Sequence, residues 1–204
     1  SMTLLTSWHM LVGRAKIKPG QIVLVMGGSS GVGIFGIQIA KLYGCTVIAT
    51  ASPEKLDQLK ELGADYTVDH RKEDWHKEVF KISKELAKKN NEAPGIDVIF
   101  EHIGGSHFNK ELTLLKYGAT IVTTGATTGY DAPADLRHIF FKGINILGST
   151  QGTRAELEDG FYWMGQGKIK VIIDSEYTFE NAVDAHNKML NGKGLVGKII
   201  LKPE

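Results

Sequence analysis

Residues 23–50, VLVMGGSSGVGIFGIQIAKLYGCTVIAT, constrain the fold more than any other stretch of this sequence. The pattern predicts a short apolar strand at residues 22–26, an apolar helix at 32–42 and a second strand, rich in β-branched residues, at 46–49. A cluster of Gly and Ser separates the first strand from the helix. This order predicts a βαβ unit with a tight turn after its first strand.

The Gly and Ser cluster leaves room for a phosphate group. Gly27, Gly28 and Gly31 have no side chains, so backbone N–H groups and the positive end of the helix can approach a pyrophosphate closely. When the turn is aligned to G-x-G-x-x-G from Gly28, Ser30 replaces the middle glycine, which weakens the motif on its own. The sequence still predicts a dinucleotide site, in which the phosphates contact Ser29, Ser30, Gly31 and Val32.

Composition argues against several kinds of partner. The formal net charge of +1 gives no electrostatic reason to expect nucleic acid or an anionic membrane. The longest apolar runs, such as residues 22–26, are far shorter than the roughly 20 residues of a membrane span. The single cysteine, Cys45, has no disulfide partner and no Cys or His at metal-ligand spacing. We therefore expect a cytoplasmic protein with no nucleic-acid or membrane partner.

The remaining sequence alternates strands and helices. Further strands are predicted at residues 66–68, 98–100, 120–123 and 144–147. Six strands with five crossovers predict an α/β fold with a doubly wound, six-stranded parallel sheet, the Rossmann fold. Beyond Gly148, helices at 157–164 and 179–190 and strands at 171–173 and 197–201 predict a short α/β appendage that the sheet does not need.

The residues after the second strand bear on the choice of cofactor. Residues 49–52 include Ala51 and Ser52 but no Asp or Glu that could accept hydrogen bonds from an unphosphorylated adenosine ribose. Ser52 and Lys55 offer a hydroxyl and a cation, and His70 and Arg71 follow the neighbouring third strand. This pattern favours NADP, with NAD still possible. Alternatively, Ser52 is only a helix cap and Lys55 only a solvated surface lysine.

Two further strand ends should border the cofactor. His102 and Ile103 follow the fourth strand, where we expect the adenine or its ribose. Gly125, Ala126 and Thr127 follow the fifth strand, where we expect the nicotinamide. A histidine at a strand end more often forms a packed wall than a catalytic group. No catalytic residue is therefore assigned.

Four segments together resemble one protein family. They are LLTSWHMLVGRAKIKPGQIVLVMGGSSGVG, KLDQLKELGADYTVDHRKED, GATTG followed by DLRHIFFKGINILGS, and GKGLVGKIILKP. In this order they are similar to the cofactor domain of the medium-chain dehydrogenases and reductases, which include zinc alcohol dehydrogenases and quinone oxidoreductases. The resemblance implies a phosphate loop at residues 29–32, contacts from Lys55 and His70 to a 2′-phosphate, and Thr6 near the nicotinamide ribose.

The resemblance also implies a division of the chain. Residues 1–18 would be a linker helix, 19–170 the dinucleotide-binding domain, and 171–204 a segment that completes a separate catalytic domain. That catalytic domain precedes the cofactor domain in the family, and we expect this chain to lack it. Because Cys-x-Gly-x-Asp, Gly-His-Glu and a four-cysteine cluster do not occur here, any zinc would belong to the missing domain.

The activity implied by the resemblance is hydride transfer to or from a carbonyl, an alcohol or an activated alkene. We expect the chain alone to be inactive. The alternative is a non-catalytic nucleotide-sensing or scaffold module with the same fold. A short-chain dehydrogenase is disfavoured, because no Tyr-x-x-x-Lys pair follows the fifth strand: Tyr130 is followed four residues later by Ala134.

The sixth strand, residues 144–147, is short, apolar and at the expected edge of the sheet. An exposed edge strand is normally covered or paired. The resemblance implies two sheets joined edge to edge, so we expect a homodimer through this strand.

Overall fold

The computed structural model describes residues 1–203 and is built around a parallel sheet. Its strands are β1 (Ile22–Val25), β2 (Thr46–Ala51), β3 (Tyr66–Asp69), β4 (Ile96–Glu101), β5 (Leu115–Thr123) and β6 (Asn145–Gly148). They lie in the order β3-β2-β1-β4-β5-β6, and every neighbouring pair is parallel. This confirms the predicted doubly wound fold. The connections reverse direction between β1 and β4, so the carboxyl ends of these two strands border a crevice.

Helices cover both faces of the sheet. They are α1 (Met2–Trp8), α2 (Gly33–Leu42), α3 (Leu56–Glu61), α4 (Trp75–Asn90), α5 (His107–Leu114), α6 (Leu136–Lys142), α7 (Arg154–Gly165) and α8 (Ala182–Asn191). The chain continues from α1 as a π-helix, His9–Arg14, and a 3₁₀ turn, Pro53–Lys55, precedes α3. No helix within residues 1–203 has the length and apolar character needed to cross a bilayer.

The central strand β1 shows why its sequence is apolar without interruption. Val23 and Val25 pack in one hydrophobic cluster with residues of α1 and α2. Ile22 and Leu24 pack in a second cluster with residues of α4 and α5. Successive side chains of a strand point to opposite faces, so a strand covered on both faces needs an apolar residue at every position.

The C-terminal part forms a separate two-stranded parallel sheet from β7 (Ile173–Thr178) and β8 (Lys198–Lys202). The sequence predicted the first of these strands at residues 171–173, but most of β7 has the polar sequence DSEYT. It is only partly buried and leaves its polar side chains accessible, so its pattern has no apolar run to mark it.

The C-terminal part is attached at the carboxyl ends of the strands of the large sheet, beside the glycine-rich turn that follows β1. The Gly197 N–H donates to the Ser29 carbonyl at 3.0 Å. Gln38 on α2 holds Lys170 by two hydrogen bonds: its side-chain oxygen accepts from the Lys170 N–H at 2.7 Å, and its amide nitrogen donates to the Lys170 carbonyl at 3.0 Å. The end of the chain is therefore fixed against the turn between β1 and α2.

Candidate cofactor site

The glycine-rich turn is shaped by hydrogen bonds to β2. The Gly27 N–H donates to the Thr50 hydroxyl at 3.1 Å, and the Gly28 N–H donates to the Thr50 carbonyl at 2.7 Å. Gly27 has a φ of 58°, in the left-handed region that glycine adopts without strain. The chain thus reverses sharply at the end of β1 and leads into α2.

The start of α2 packs closely on this turn. A Cβ at Gly33 would lie 2.7 Å from the Gly28 Cα and would collide with the Gly27 carbonyl oxygen. The Gly33 N–H donates to the Ser30 hydroxyl oxygen at 2.9 Å, so Ser30 serves the helix start. Glycine at position 33 is therefore required for the helix to begin this close to β1.

Backbone donors are left over at the turn. Within residues 1–203, the Gly31 and Val32 N–H groups donate no hydrogen bond. They stand directly before the first residue of α2, where the helix dipole favours negative charge. This arrangement is typical of a phosphate site.

A lysine from the end of the chain lies over the same turn. A Cβ at Gly31 would collide with the side chain of Lys198, the first residue of β8. Sequence reasoning missed Lys198, although the segment GKGLVGKIILKP contains it. Its distance along the chain from the glycine-rich turn gave no sign of the contact. The ammonium group adds a positive charge beside the free N–H groups.

The end of β2 carries the groups predicted to contact a 2′-phosphate. Ser52 is buried and precedes the 3₁₀ turn, but its hydroxyl donates to Glu54 Oε1 at 2.9 Å and does not cap a backbone N–H, as the alternative interpretation would require. Arg71 also contacts the Glu54 carboxylate, at 3.2 Å and 3.3 Å. Although residues 49–52 are not acidic, the chain thus supplies a carboxylate two residues later. Lys55 Nζ donates to the Gly192 carbonyl at 2.9 Å.

His70 and Ala51 lie beside this group. The His70 N–H donates to the carbonyl of Ala51, the buried last residue of β2, at 3.2 Å. Burial lowers the pKa of His70, and the nearby His107, Arg71 and Lys55 lower it further. His70 is therefore a neutral hydrogen-bonding group near pH 7, and the positive charge here comes from Lys55 and Arg71.

His102 and Ile103 form a wall against the glycine-rich turn. A Cβ at Gly27 would lie 2.9 Å from atoms of both side chains. His102 Nε2 lies 3.3 Å from the Ser30 hydroxyl oxygen. Burial lowers the pKa of His102, partly opposed by the Glu101 carboxylate, so its ring is neutral near pH 7. These contacts are those of a packed wall.

The strand end predicted to face the nicotinamide is more open. Gly125, Ala126 and Thr127 are exposed, and the Thr127 hydroxyl donates to the His102 carbonyl at 2.8 Å. Thr6 is partly buried on α1, where its hydroxyl donates to the Met2 carbonyl at 2.9 Å. The next residue, Ser7, donates to the Val32 carbonyl at 2.9 Å. This bond fixes α1 beside the glycine-rich turn.

Comparison with known proteins identifies the family. The family model described as zinc-binding dehydrogenase matches residues 31–166. The chain belongs to the zinc-binding dehydrogenase family. This confirms the resemblance to the cofactor domain of the medium-chain dehydrogenases and reductases.

Individual relatives of this zinc-binding dehydrogenase domain are oxidoreductases. A quinone oxidoreductase of Pongo abelii is 33% identical over 96% of this chain, which spans 59% of that protein. The structure of an NAD-dependent alcohol dehydrogenase has a TM-score of 0.88 and 35% identity, with 98% of this chain and 56% of that one covered. A 2-octenoyl-CoA carboxylase reductase in complex with NADP and 2-octenoyl-CoA has a TM-score of 0.85 and 26% identity, with 98% and 48% covered.

The family name raises the question of zinc. Within residues 1–203, no group of three or more His, Cys, Asp and Glu side chains is placed to hold a metal ion. Cys45 is buried, and burial raises its pKa to about 11, so the thiolate that zinc requires is disfavoured. The described residues of this domain do not fit a zinc site.

Proposed function

We propose that this chain is the nicotinamide-dinucleotide-binding domain of an oxidoreductase and that it binds NADPH more tightly than NADH. The observation that carries the proposal is the pair of free N–H groups of Gly31 and Val32 beneath the Lys198 side chain. A related structure was solved with NADP, whereas another relative is an NAD-dependent enzyme. The positive groups at the end of β2 support the phosphorylated cofactor.

Each part of the cofactor has residues suited to it. The Gly31 and Val32 N–H groups and Lys198 would hold the pyrophosphate, and Ser52, Lys55 and Arg71 would face the 2′-phosphate. Ile103 and His102 would form the wall beside the adenine, and Thr6 would lie near the nicotinamide ribose. When bound, the cofactor supplies or accepts a hydride; this chain binds and orients it. The substrates of the whole protein would be carbonyls, alcohols or activated alkenes.

Calorimetry with NADPH and NADH tests the proposal. Lys55→Ala should weaken NADPH binding by about tenfold, or about 1.4 kcal/mol, and leave NADH nearly unchanged. Lys198→Ala should weaken both cofactors by a similar factor, because both carry the pyrophosphate. Lys60→Ala, which removes an exposed lysine of α3, is the matched control. Equal affinities for the two cofactors, or tighter binding of NADH, would overturn the proposed preference.

We expect the 204-residue chain alone to be inactive, because the family resemblance assigns the groups that polarise a substrate oxygen to a separate catalytic domain. Assays of NADPH oxidation with a quinone, an enone and an aldehyde would measure this. Turnover that is proportional to protein concentration and lost in Lys198→Ala would contradict the expectation. Tight cofactor binding by a full-length protein that has no activity would instead favour the nucleotide-sensing alternative.

A further inference from the structure

The groups suited to a 2′-phosphate already contact an anion of this chain. The Glu54 carboxylate accepts from the Ser52 hydroxyl at 2.9 Å and from the two terminal nitrogens of Arg71 at 3.2 Å and 3.3 Å. One carboxylate thus occupies both a hydroxyl donor and a guanidinium group. These are donors that would otherwise be free to bind phosphate oxygens.

The backbone directs Glu54 to this position. Residues Pro53–Lys55 form a 3₁₀ turn directly after Ser52, and Glu54 is its middle residue. Hydrogen bonds from its own backbone N–H and from Ser52 lower the pKa of Glu54, and the charges of Arg71 and Lys55 lower it further. Glu54 is therefore negatively charged at the pH at which a dinucleotide binds.

Lys55 differs from Arg71 in its partner. Lys55 Nζ contacts a neutral carbonyl oxygen, that of Gly192, so no carboxylate balances its charge through that contact. Arg71 shares its charge with Glu54. Of these two cations, only Arg71 is hydrogen-bonded to Glu54; the charges of Glu54 and Asp174 act on Lys55 without such a bond.

On the basis of the proposed cofactor site, we propose that Glu54 sets the cofactor specificity of this domain by competing with the 2′-phosphate for Ser52 and Arg71. A 2′-phosphate brings negative charge to the carboxylate and must displace it from both partners. NADH carries a 2′-hydroxyl, which can donate a hydrogen bond to a carboxylate. Lys55 favours NADPH over NADH, and Glu54 thereby reduces this difference in affinity between the two cofactors.

The ion pair between Arg71 and Glu54 costs little free energy to break. The Arg71 side chain is 60% exposed and that of Glu54 is 32% exposed, so water and salt weaken their ion pair. An exposed pair of this kind opens readily when a stronger anion arrives. Both cofactors can therefore bind, and Glu54 changes the ratio of their affinities.

The test is a titration of NADPH and NADH into the unmodified chain, Glu54→Gln and Glu61→Gln. Glutamine at position 54 keeps an oxygen for Ser52 and removes the charge. We expect Glu54→Gln to increase the affinity for NADPH about three- to fivefold, which corresponds to the free energy of an exposed ion pair. The affinity for NADH should be unchanged or lower. Glu61 is exposed at the end of α3, so Glu61→Gln makes the same charge change elsewhere on the surface and should leave the ratio unchanged.

Arg71 variants provide a second, independent test. With Glu54→Gln in place, Arg71 is free for the phosphate, so adding Arg71→Gln should remove the gain in NADPH affinity. Arg71→Gln alone should have a smaller effect, because Glu54 already occupies the guanidinium group. Equal effects of Arg71→Gln in the two backgrounds would overturn the competition.

Different outcomes would overturn the role of Glu54 and the proposed cofactor site. Tight binding of NADPH with no change in the cofactor ratio in Glu54→Gln would overturn the role of Glu54 and leave the proposed function standing. Binding of neither cofactor by the unmodified chain would overturn both. A gain in affinity cannot result from misfolding, and circular dichroism of each variant would confirm that the fold is retained.

Discussion

The two halves of the large sheet have similarly apolar sequences and very different surroundings. All four residues of β1 are buried, and α2 on this side has eight buried residues. In β6 three of four residues are exposed, and α6 beside it has no buried residue. Apolar sequence therefore predicts that a segment will be covered, but at the outer edge of the second half, formed by β6 and α6, nothing within residues 1–203 covers it.

The uncovered edge of the second half carries exposed apolar side chains. Phe140 and Phe141 of α6 are 65% and 69% exposed, and Ile146 of β6 is 43% exposed. Edge strands and apolar patches of this kind are typical of interfaces. We propose that this edge is covered by a second copy of the chain through β6, as the family resemblance implies.

The largest expected effect tests how tightly the covered half is packed. Gly33→Ala should destabilise the fold by about 3 kcal/mol, because the new Cβ collides with the turn after β1. Gly148→Ala, at the end of β6, adds a methyl group where no atom lies within 4 Å and should change stability by less than about 0.5 kcal/mol. Urea unfolding measures both. Equal losses of unfolding free energy in Gly33→Ala and Gly148→Ala would contradict the contrast between these two regions.

The next prediction asks what covers the open half. Ile146→Glu should raise the dissociation constant of the homodimer by about 30-fold, or about 2 kcal/mol, because it places a charge in the buried centre of the contact. Val171→Glu makes the same change on the exposed C-terminal segment and should leave the dimer intact. Light scattering over a concentration series measures both. A monomeric unmodified chain well above micromolar concentration, or a dimer broken only by Val171→Glu, would exclude the β6 interface.

The third prediction concerns α5, which packs against α4, α6 and β5. Glu111 is fully buried, and within residues 1–203 neither of its carboxylate oxygens has a hydrogen-bond partner. Burial raises its pKa well above the ordinary value of 4.5, and the Glu101 charge raises it further. The folded state thus keeps a proton that the unfolded chain releases.

The contribution of protonated Glu111 to stability should therefore be fully present below pH 4.5 and be lost as the pH rises through the raised pKa of the folded state. Each unit of pKa shift corresponds to about 1.4 kcal/mol. Glu111→Gln carries no such proton and should be more stable than the unmodified chain at pH 8, with little difference at pH 5. Glu85→Gln, an exposed change on α4, is the control. Urea unfolding with parallel pH profiles for Glu111→Gln and the unmodified chain would refute the raised pKa of Glu111.

The sequence was sufficient to predict the sheet, because each strand and helix is recognisable from the pattern of apolar residues within its own segment. Strand and helix patterns recur between residues 22 and 148, and several of the turns between them contain glycines. The glycine-rich turn after β1 was predictable for the same reason. The family model and the related structures confirm the family and the fold.

The details of the site were less predictable, because they depend on side-chain direction and distant contacts. Glu54 follows Ser52 by two residues, yet only the 3₁₀ turn shows that its carboxylate reaches Arg71. Lys198 reaches Gly31 only because Gly197 bonds to Ser29. The polar strand β7 had no apolar pattern to reveal it. The contacts of the cofactor residues with a dinucleotide remain predictions.

The bond between Gly197 and Ser29 also has a consequence for how the chain folds. It joins residues separated by nearly the whole sequence, and Lys198 reaches the turn through the same segment. Contacts between such distant residues form slowly, because a long loop must close first. During synthesis, β1 and α2 leave the ribosome long before β8 exists. We expect the complete phosphate site to be among the last parts of the fold to form, after the sheet that supports it.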